Sequence, residues 1–413
     1  MILISEALRI IEKQVGVLAT ETIDLQNSVN RVLAENVKAD MDLPPFNRSQ
    51  MDGFALRAKD VKDAPAELKI IGEAAAGKGF EGKLKRGEAV RIMTGARVPV
   101  GADAVQKVEL TKERNDFIEI LEPVKLKQNV VNQAEEIEKG TRIFSKGERV
   151  TERKIAVLAS FGYAKIKVFK APEVSILATG SEIVNINETP GQDQIRNSNS
   201  LMLKVLAEEC GANAGILPSV KDDIEILKSQ IAQAVGLESR VKNDKSQIPN
   251  PKSQILIITG GVSVGDYDFT KPVLRDLGAE IFFERVALRP GKPTVFAKLD
   301  DTFVFGLPGN PVSAAVTFYL FVRKAIRQMQ KAKNCDLEES YAILSGRAKG
   351  AKGRDSFLPA KLSVDENAKL NVEPLRWSGS SDFVAFSNAD CLVFVPKNES
   401  READDVVKII RLP

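Results

Sequence analysis

The sequence predicts an α/β multidomain protein: a central α/β domain on a mostly parallel sheet, a β-rich N-terminal module before it and a small all-β domain after it. Between about Pro172 and Gln330 short apolar runs alternate with helical patterns, which is the mark of βαβ units. On either side the apolar runs are strand-like and separated by Gly and Pro turns instead of helices. At 413 residues the chain also exceeds what one hydrophobic core supports, so roughly two to four domains are expected.

Each element follows from local pattern. Charges break every apolar stretch at the N-terminus, and the spacing of Ile4, Leu8, Ile11 and Val15 suits an amphipathic helix, not a signal peptide. Leu68–Glu73, Glu88–Met93, Ala104–Val108 and Phe117–Leu121 read as strands of the β-rich module. Val150 to Phe161 reads as a short helix capped by Thr151 and stopped at Gly162, followed by the strand Lys165–Phe169. The α/β segment then runs strand Val174–Ala178, helix Ser200–Glu209, strand Ala214–Val220, helix Asp222–Val235, strand Ile255–Ile258 and helix Phe269–Leu277. Three close-set strands, Phe282–Leu288, Thr294–Leu299 and Thr302–Phe305, precede a long helix from Pro311 through Met329, proline being favoured in a first turn. The polar stretch between Val235 and Ile255, with two prolines and no period, reads as a solvated surface excursion. Beyond Cys335, strands recur at Tyr341–Arg347, Asp355–Leu362, Leu370–Pro374 and Cys391–Pro396.

Composition removes several functions. Lys and Arg total 59 against 56 for Asp and Glu, a balance that makes no electrostatic case for a nucleic-acid or membrane partner. The chain has no histidine, so the usual general base, the Ser-His and Cys-His pairs and the commonest metal ligand are all missing. Chemistry must run on carboxylates, lysine, hydroxyls or a hard metal. The three cysteines, Cys210, Cys335 and Cys391, have no zinc or disulfide spacing and read as small core hydrophobes in a reducing compartment. No run reaches the ~20 apolar residues a membrane span needs, so a cytoplasmic protein is expected.

Chemistry concentrates in three glycine-bearing loops: Thr259-Gly260-Gly261-Val262-Ser263-Val264-Gly265-Asp266, Arg289-Pro290-Gly291-Lys292-Pro293 and Gly306-Leu307-Pro308-Gly309-Asn310-Pro311. Each borders a predicted strand, and loops leaving strand ends are where open α/β sheets bind ligands. Without a Cβ, glycine lets backbone amides approach an oxyanion. One such loop is also what a tight turn looks like. Three, interleaved with Lys292, Asp266, Asp268, Ser263 and Ser313, make a pattern for an anion with a divalent cation.

Taken with Asp42-Leu-Pro-Pro-Phe-Asn-Arg-Ser-Gln-Met-Asp-Gly-Phe-Ala-Leu, Arg91-Ile-Met-Thr-Gly-Ala-Arg-Val-Pro-Val-Gly-Ala-Asp-Ala-Val and Ala178-Thr-Gly-Ser-Glu-Ile-Val, the loops resemble the molybdopterin molybdenumtransferases of the MoeA and gephyrin C-terminal type. The resemblance covers nearly the whole chain. It implies insertion of molybdate into adenylylated molybdopterin with release of AMP, dependence on Mg²⁺, and a homodimer with the cleft at its interface. It implies a C-terminal β-barrel and the division 1–47 plus 131–172 (an N-terminal α/β linker domain), 48–130 (β-rich), 173–332 (molybdopterin-binding α/β) and 333–413 (barrel). The adenylyltransferase of the same biosynthesis and recipient molybdoenzymes are implied as protein partners.

Residue roles follow position by position. Asp52, Glu182 and Asp268 are the expected acids and metal ligands, and Lys292, pinned between prolines, is the expected fixed cation at a phosphate or molybdate oxygen. Asp52 is also in a turn-prone Met-Asp-Gly, where Asp often serves the turn itself. Ser49, Thr94, Gly260, Gly261, Ser263, Gly265, Asp266, Arg289, Gly309, Asn310, Ser313, Arg354 and Ser380 are expected to contact substrate, with Ser381 beside the last. Arg289 stands where many relatives carry lysine, which keeps charge but not geometry. Asn197 is read first as a helix N-cap, and Asp222 and Asp223 read equally as cap and first-turn residues of the next helix. Two departures stand out: Val131-Asn132-Gln133-Ala134-Glu135-Glu136-Ile137 lacks the arginine and glycine of relatives, and Pro359-Ala360 replaces their Arg-Gly. Two rival readings remain from the sequence: a molybdopterin adenylyltransferase, whose chains are usually little more than the α/β domain, and a non-catalytic gephyrin-like dimeric scaffold.

Overall fold

The computed structural model describes residues 1–221, 223–237, 253–261 and 269–413. The expected excursion between Val235 and Ile255 falls largely outside these residues, as do Asp222, Ser263, Gly265, Asp266 and Asp268. The chain forms two units, one of Met1–Glu35, Lys146–Ile155 and Lys165–Pro413, the other of Asn36–Ser145 and Ala156–Ala164.

The second unit is built on a six-stranded sheet in the order Ala104–Lys107, Gly53–Leu56, Glu88–Ile92, Ala66–Ala74, Phe117–Ile120, Thr111–Arg114. All neighbours are antiparallel except Ala66–Ala74 against Glu88–Ile92. The Gly53–Leu56 strand is buried on both faces: Phe54 and Leu56 pack with Leu68, Ile118 and Ile120, while Ala55 packs with Val90, Ile92 and Val105 on the other side. This explains a run without polar alternation. The four strands expected in this module all form, within two residues at each end.

The first unit contains the α/β domain. Its sheet runs Asn213–Ile216, Glu173–Ala178, Ile255–Thr259, Thr302–Leu307, Val295–Leu299, Glu280–Phe283, with the first four strands mutually parallel and Val295–Leu299 antiparallel to both of its neighbours. Period-two alternation sends Ile255, Ile257, Ile176 and Phe305 to one face, against Leu203 and Leu206 of the helix Ser198–Glu209. Leu256, Ile258, Leu177 and Val304 go to the other, against Leu227 and Ile231 of Ile224–Ala234 and Leu274 of Thr270–Asp276. The N-terminal helix Ile4–Gln14 buries Ile4, Ala7 and Ile11 in the first of these cores.

Three expectations change here. Phe282–Leu288 is not one strand: Glu280–Phe283 stays in the sheet, whereas Leu288–Arg289 leaves it to pair in parallel with Asp355 and Ser356. The segment Ala214–Val220 is a strand only to Ile216. The helix from Pro311 to Met329 is continuous but carries a π turn at Phe318–Val322. The expected cap at Asn197 holds, accepting from the N–H of Ser200; of the pair at 222 and 223 it is Asp223 that caps its helix, accepting from the N–H of Ile226.

After this helix, Asp355–Val364, Leu370–Pro374, Glu339–Leu344, Val406–Arg411 and Cys391–Val395 pair in that order, and the last pairs back on the first. The result is a closed five-stranded barrel filled by Leu344, Ala360, Val372, Val393, Val395 and Ile409. The strand Val406–Arg411, which completes the closure, is absent from the expected set. Among the described residues no helix is long and apolar enough to cross a membrane.

Candidate functional site

Strands ending at Ala178, Thr259 and Leu307 deliver their following loops to one cavity of about 1400 Å³ within the first unit. The loop after Thr259 turns in the left-handed region that favours glycine: Gly260 and Gly261 have φ of +93° and +60°. A Cβ on Gly261 would stand 2.8 Å from Thr179 Oγ1 and 3.1 Å from Thr270 Oγ1. Neighbouring loops are tied by Asn199, whose Nδ2 donates to Thr259 Oγ1 at 3.1 Å and to Gly309 O at 2.7 Å. Asn199 Oδ1, Thr179 Oγ1 and Thr270 Oγ1 are buried and have no partner among the described residues. Thr179 and Asn199 line the cavity, and unmade hydrogen bonds of this kind at its wall are places for a ligand or ordered water.

The loop Arg289-Pro290-Gly291-Lys292-Pro293 is held by its main chain: Lys292 O accepts from the N–H groups of Val286 and Thr294 at 3.0 and 3.1 Å. The Lys292 side chain is therefore free to serve the cavity. Arg285, Arg289 and Arg354 line the same space, and none of the four forms an ion pair with a carboxylate among the described residues. Arg196 also faces it while its Nε donates to Glu188 O. Glu182 is the one carboxylate among the described lining residues. Its side chain lies over Gly180, where a Cβ would collide with the carboxylate. An excess of uncompensated cations around one acid is a site for a multiply charged anion.

The barrel supplies the remaining wall. Asn310 Nδ2 donates to Ser380 Oγ at 2.8 Å, and Val312 N–H donates to Ser380 O at 3.1 Å. Asp382 stabilises this loop by accepting from the N–H groups of Ser378 and Ala385, which hold its carboxyl below the usual carboxylate range. Asn310 thus joins two loops instead of capping its own helix.

Of the residues expected from sequence, Glu182, Gly260, Gly261, Arg289, Lys292, Gly309, Asn310, Ser313, Arg354 and Ser380 meet in this cavity. Asp52, Thr94 and Ser49 form a separate cluster in the other unit. Asp52 Oδ1 accepts from the backbone N–H of Thr94 at 2.6 Å and from its hydroxyl at 2.7 Å, and these bonds hold the Asp52 carboxyl below its ordinary range. Ser49 is buried, its Oγ donating to Met51 O at 2.6 Å. The divergent stretch near Glu135 folds onto the Pro-Phe-Asn-Arg-Ser segment, with Asn47 Oδ1 accepting from Gln133 N–H and Arg48 pairing with Glu136. Sequence reading missed Arg285, Asn199, Trp377 and Phe383. Arg285 lies four residues before Arg289, and its basic character beside that loop was the available signal; the two aromatics carried none.

No group of three or more metal-ligating side chains occurs among the described residues. Mg²⁺ retains waters and binds through one or two carboxylates plus substrate phosphates, so a single acid beside an anion site fits it while a protein-only cage does not. Among the described lining residues Glu182 is the carboxylate available to such an ion.

Fold and site together define a protein built around a molybdopterin-binding type of α/β domain: residues 175–328 match the family described as a probable molybdopterin binding domain. Residues 2–162 match the MoeA N-terminal region (domain I and II) and residues 341–412 the MoeA C-terminal region (domain IV). The chain belongs to the MoeA family, the molybdopterin molybdenumtransferases of molybdenum cofactor biosynthesis. It is 36% identical over 397 residues to the molybdopterin molybdenumtransferase of Staphylococcus aureus strain COL, covering 95% of this chain and 91% of that one. It is 33% identical over 412 residues to the enzyme of that name from Staphylococcus epidermidis, covering 98% and 94%. A solved molybdopterin biosynthesis MoeA protein from Pyrococcus horikoshii superposes with a TM-score of 0.79 at 28% identity over the whole of both chains.

Proposed function

We propose that this protein inserts molybdate into adenylylated molybdopterin with release of AMP, in a Mg²⁺-assisted reaction on the cavity described above. The observation that carries the reading is the set of four cations, Arg285, Arg289, Lys292 and Arg354, that line one cavity and form no ion pair with a carboxylate among the described residues. Molybdate and a phosphoanhydride are both multiply charged oxyanions, and fixed cations in a partly enclosed site stabilise such charge without reorganisation. Lys292 and Arg354, with the hydroxyls of Ser313 and Ser380, hold molybdate. The glycine loop at Gly260 and Gly261, with the unpartnered Thr179 hydroxyl, receives the nucleotide phosphates. Glu182 would hold a Mg²⁺, and the ion when bound would supply Lewis-acid neutralisation of the charge on the departing AMP. Asp52, kept ionised by Thr94, is a second anionic group available to the reaction in a homodimeric, cytoplasmic enzyme. Catalysis by position and charge suits a chain with no histidine.

The test is AMP release from adenylylated molybdopterin with molybdate and Mg²⁺, for wild type, Asp52→Ala and Lys292→Ala. Release that requires molybdate and falls in both variants is expected. Consumption of ATP and free molybdopterin to give the adenylylated product would overturn the reading in favour of adenylyl transfer, and no turnover of either kind would favour a scaffold.

A further inference from the structure

Two aromatic side chains, Trp377 and Phe383, line the cation-rich cavity, and both come from one connection of the barrel, Phe383 opening its short helix Phe383–Phe386. Trp377 is half-buried, wedged against both the α/β core and the barrel core, so its ring is fixed by packing on its protein side. Phe383, the first residue of the short helix that Asp382 caps, is 50% exposed, as is unusual for a phenylalanine. The loop between them is rigid: Asp382 N–H donates to Gly379 O at 3.0 Å, Ser378 N–H and Oγ donate to Asp382 Oδ2 at 2.9 and 3.1 Å, and Ser380 is tied to Asn310. An exposed aromatic on a braced loop, at the edge of an oxyanion site, is a stacking platform in search of a ring.

We propose that Trp377 and Phe383 bind the fused nitrogen heterocycle of the substrate by stacking, with the cations taking the charge attached to that ring. The proposal rests on the cavity being the substrate site, and it assigns the ring subsite within it. A pterin and an adenine both present such a ring, and both occur in adenylylated molybdopterin. Stacking on an indole or phenyl face needs no directional hydrogen bond, which accords with the lack of acidic groups along this wall among the described lining residues.

Trp377 is the sole tryptophan in the chain, so its fluorescence reports on this wall alone. Titrating the full-length protein with free pterin in one arm and AMP in the other should give saturable quenching in at least one arm, and the arm that responds identifies the ring. Calorimetry, which does not depend on fluorescence, should show that ring's affinity falling roughly tenfold to a hundredfold in Phe383→Ala and Trp377→Leu. Trp377→Phe, which keeps an aromatic face, should retain most of it, and thermal unfolding checks that each variant is folded. Molybdate affinity, measured alongside, should stay within about twofold in Phe383→Ala. Saturable ring binding with unchanged tryptophan emission, or with equal affinity in Phe383→Ala, overturns the proposal. Molybdate binding with neither ring bound overturns it while leaving the proposed function standing; absence of molybdate and ring binding together overturns both.

Discussion

Replacing Lys292 by glutamine removes one charge from the cavity and leaves the loop intact, because the loop is bonded through the Lys292 carbonyl and not its side chain. The ammonium has no acid partner among the described residues, so nothing is left unpaired in the variant. At about 5 Å and an effective dielectric constant near 20, one charge pair is worth about 3 kcal/mol. Lys292 is exposed, so water and salt reduce this, and a hydrogen bond to a charged group nets about 1.5 to 3 kcal/mol. Molybdate affinity should accordingly fall roughly tenfold to a hundredfold in calorimetric titration at low salt, with the difference narrowing as salt rises. Thermal stability should stay within about 0.5 kcal/mol of wild type. Lys361→Gln, an exposed barrel lysine not lining the cavity, should change neither quantity. Molybdate affinity within twofold of wild type at low salt would refute the argument that these uncompensated cations hold the oxyanion.

Gly291→Ala places a Cβ 2.5 Å from Thr317 Cγ2 at a residue with φ +114°, so a loss of about 1 to 3 kcal/mol is expected in denaturant unfolding. Phe296 is fully buried at the centre of ring contacts with Phe282, Phe283, Phe303 and Phe305; Phe296→Ala should cost about 3 to 5 kcal/mol, and an unshifted urea midpoint would contradict the packing. Acid should act through Asp42, Asp52 and Asp382, whose carboxyls are held below their ordinary range chiefly by backbone N–H donors. Because the folded pKa is depressed, the associated stability is present above about pH 4 and is lost as pH falls through the folded values. Unfolding temperatures measured from pH 6 downward should therefore decline below about pH 4, and the decline should be shallower in Asp382→Asn.

Much of this molecule is legible locally. Alternation of buried β runs with amphipathic helices announces the parallel sheet, since strands covered on both faces, such as Ile255–Thr259, must be continuously apolar. The cap at Asn197 and the glycines at 260 and 261 depend on a few neighbouring atoms, so they too can be read from the chain alone. The loop residues Glu182, Lys292 and Asn310 were recognisable because glycine and proline surround them. What had no local signature was long-range pairing. Leu288–Arg289 quits its sheet for a partner some 67 residues away at Asp355, and Val406–Arg411 is a strand because it is the piece that closes the barrel. Likewise Trp377 and Phe383 look like ordinary core aromatics until the barrel brings their loop to Asn310 across about 70 residues. Sequence by itself determined the fold class, the caps and the chemistry of the loops, because those follow from backbone sterics and hydrophobic period. Tertiary structure alone decided which cations gather without an acid partner among the described residues, which aromatics face the cavity and which strand closes the barrel, because burial and charge compensation are properties of neighbours that the chain brings together only by folding.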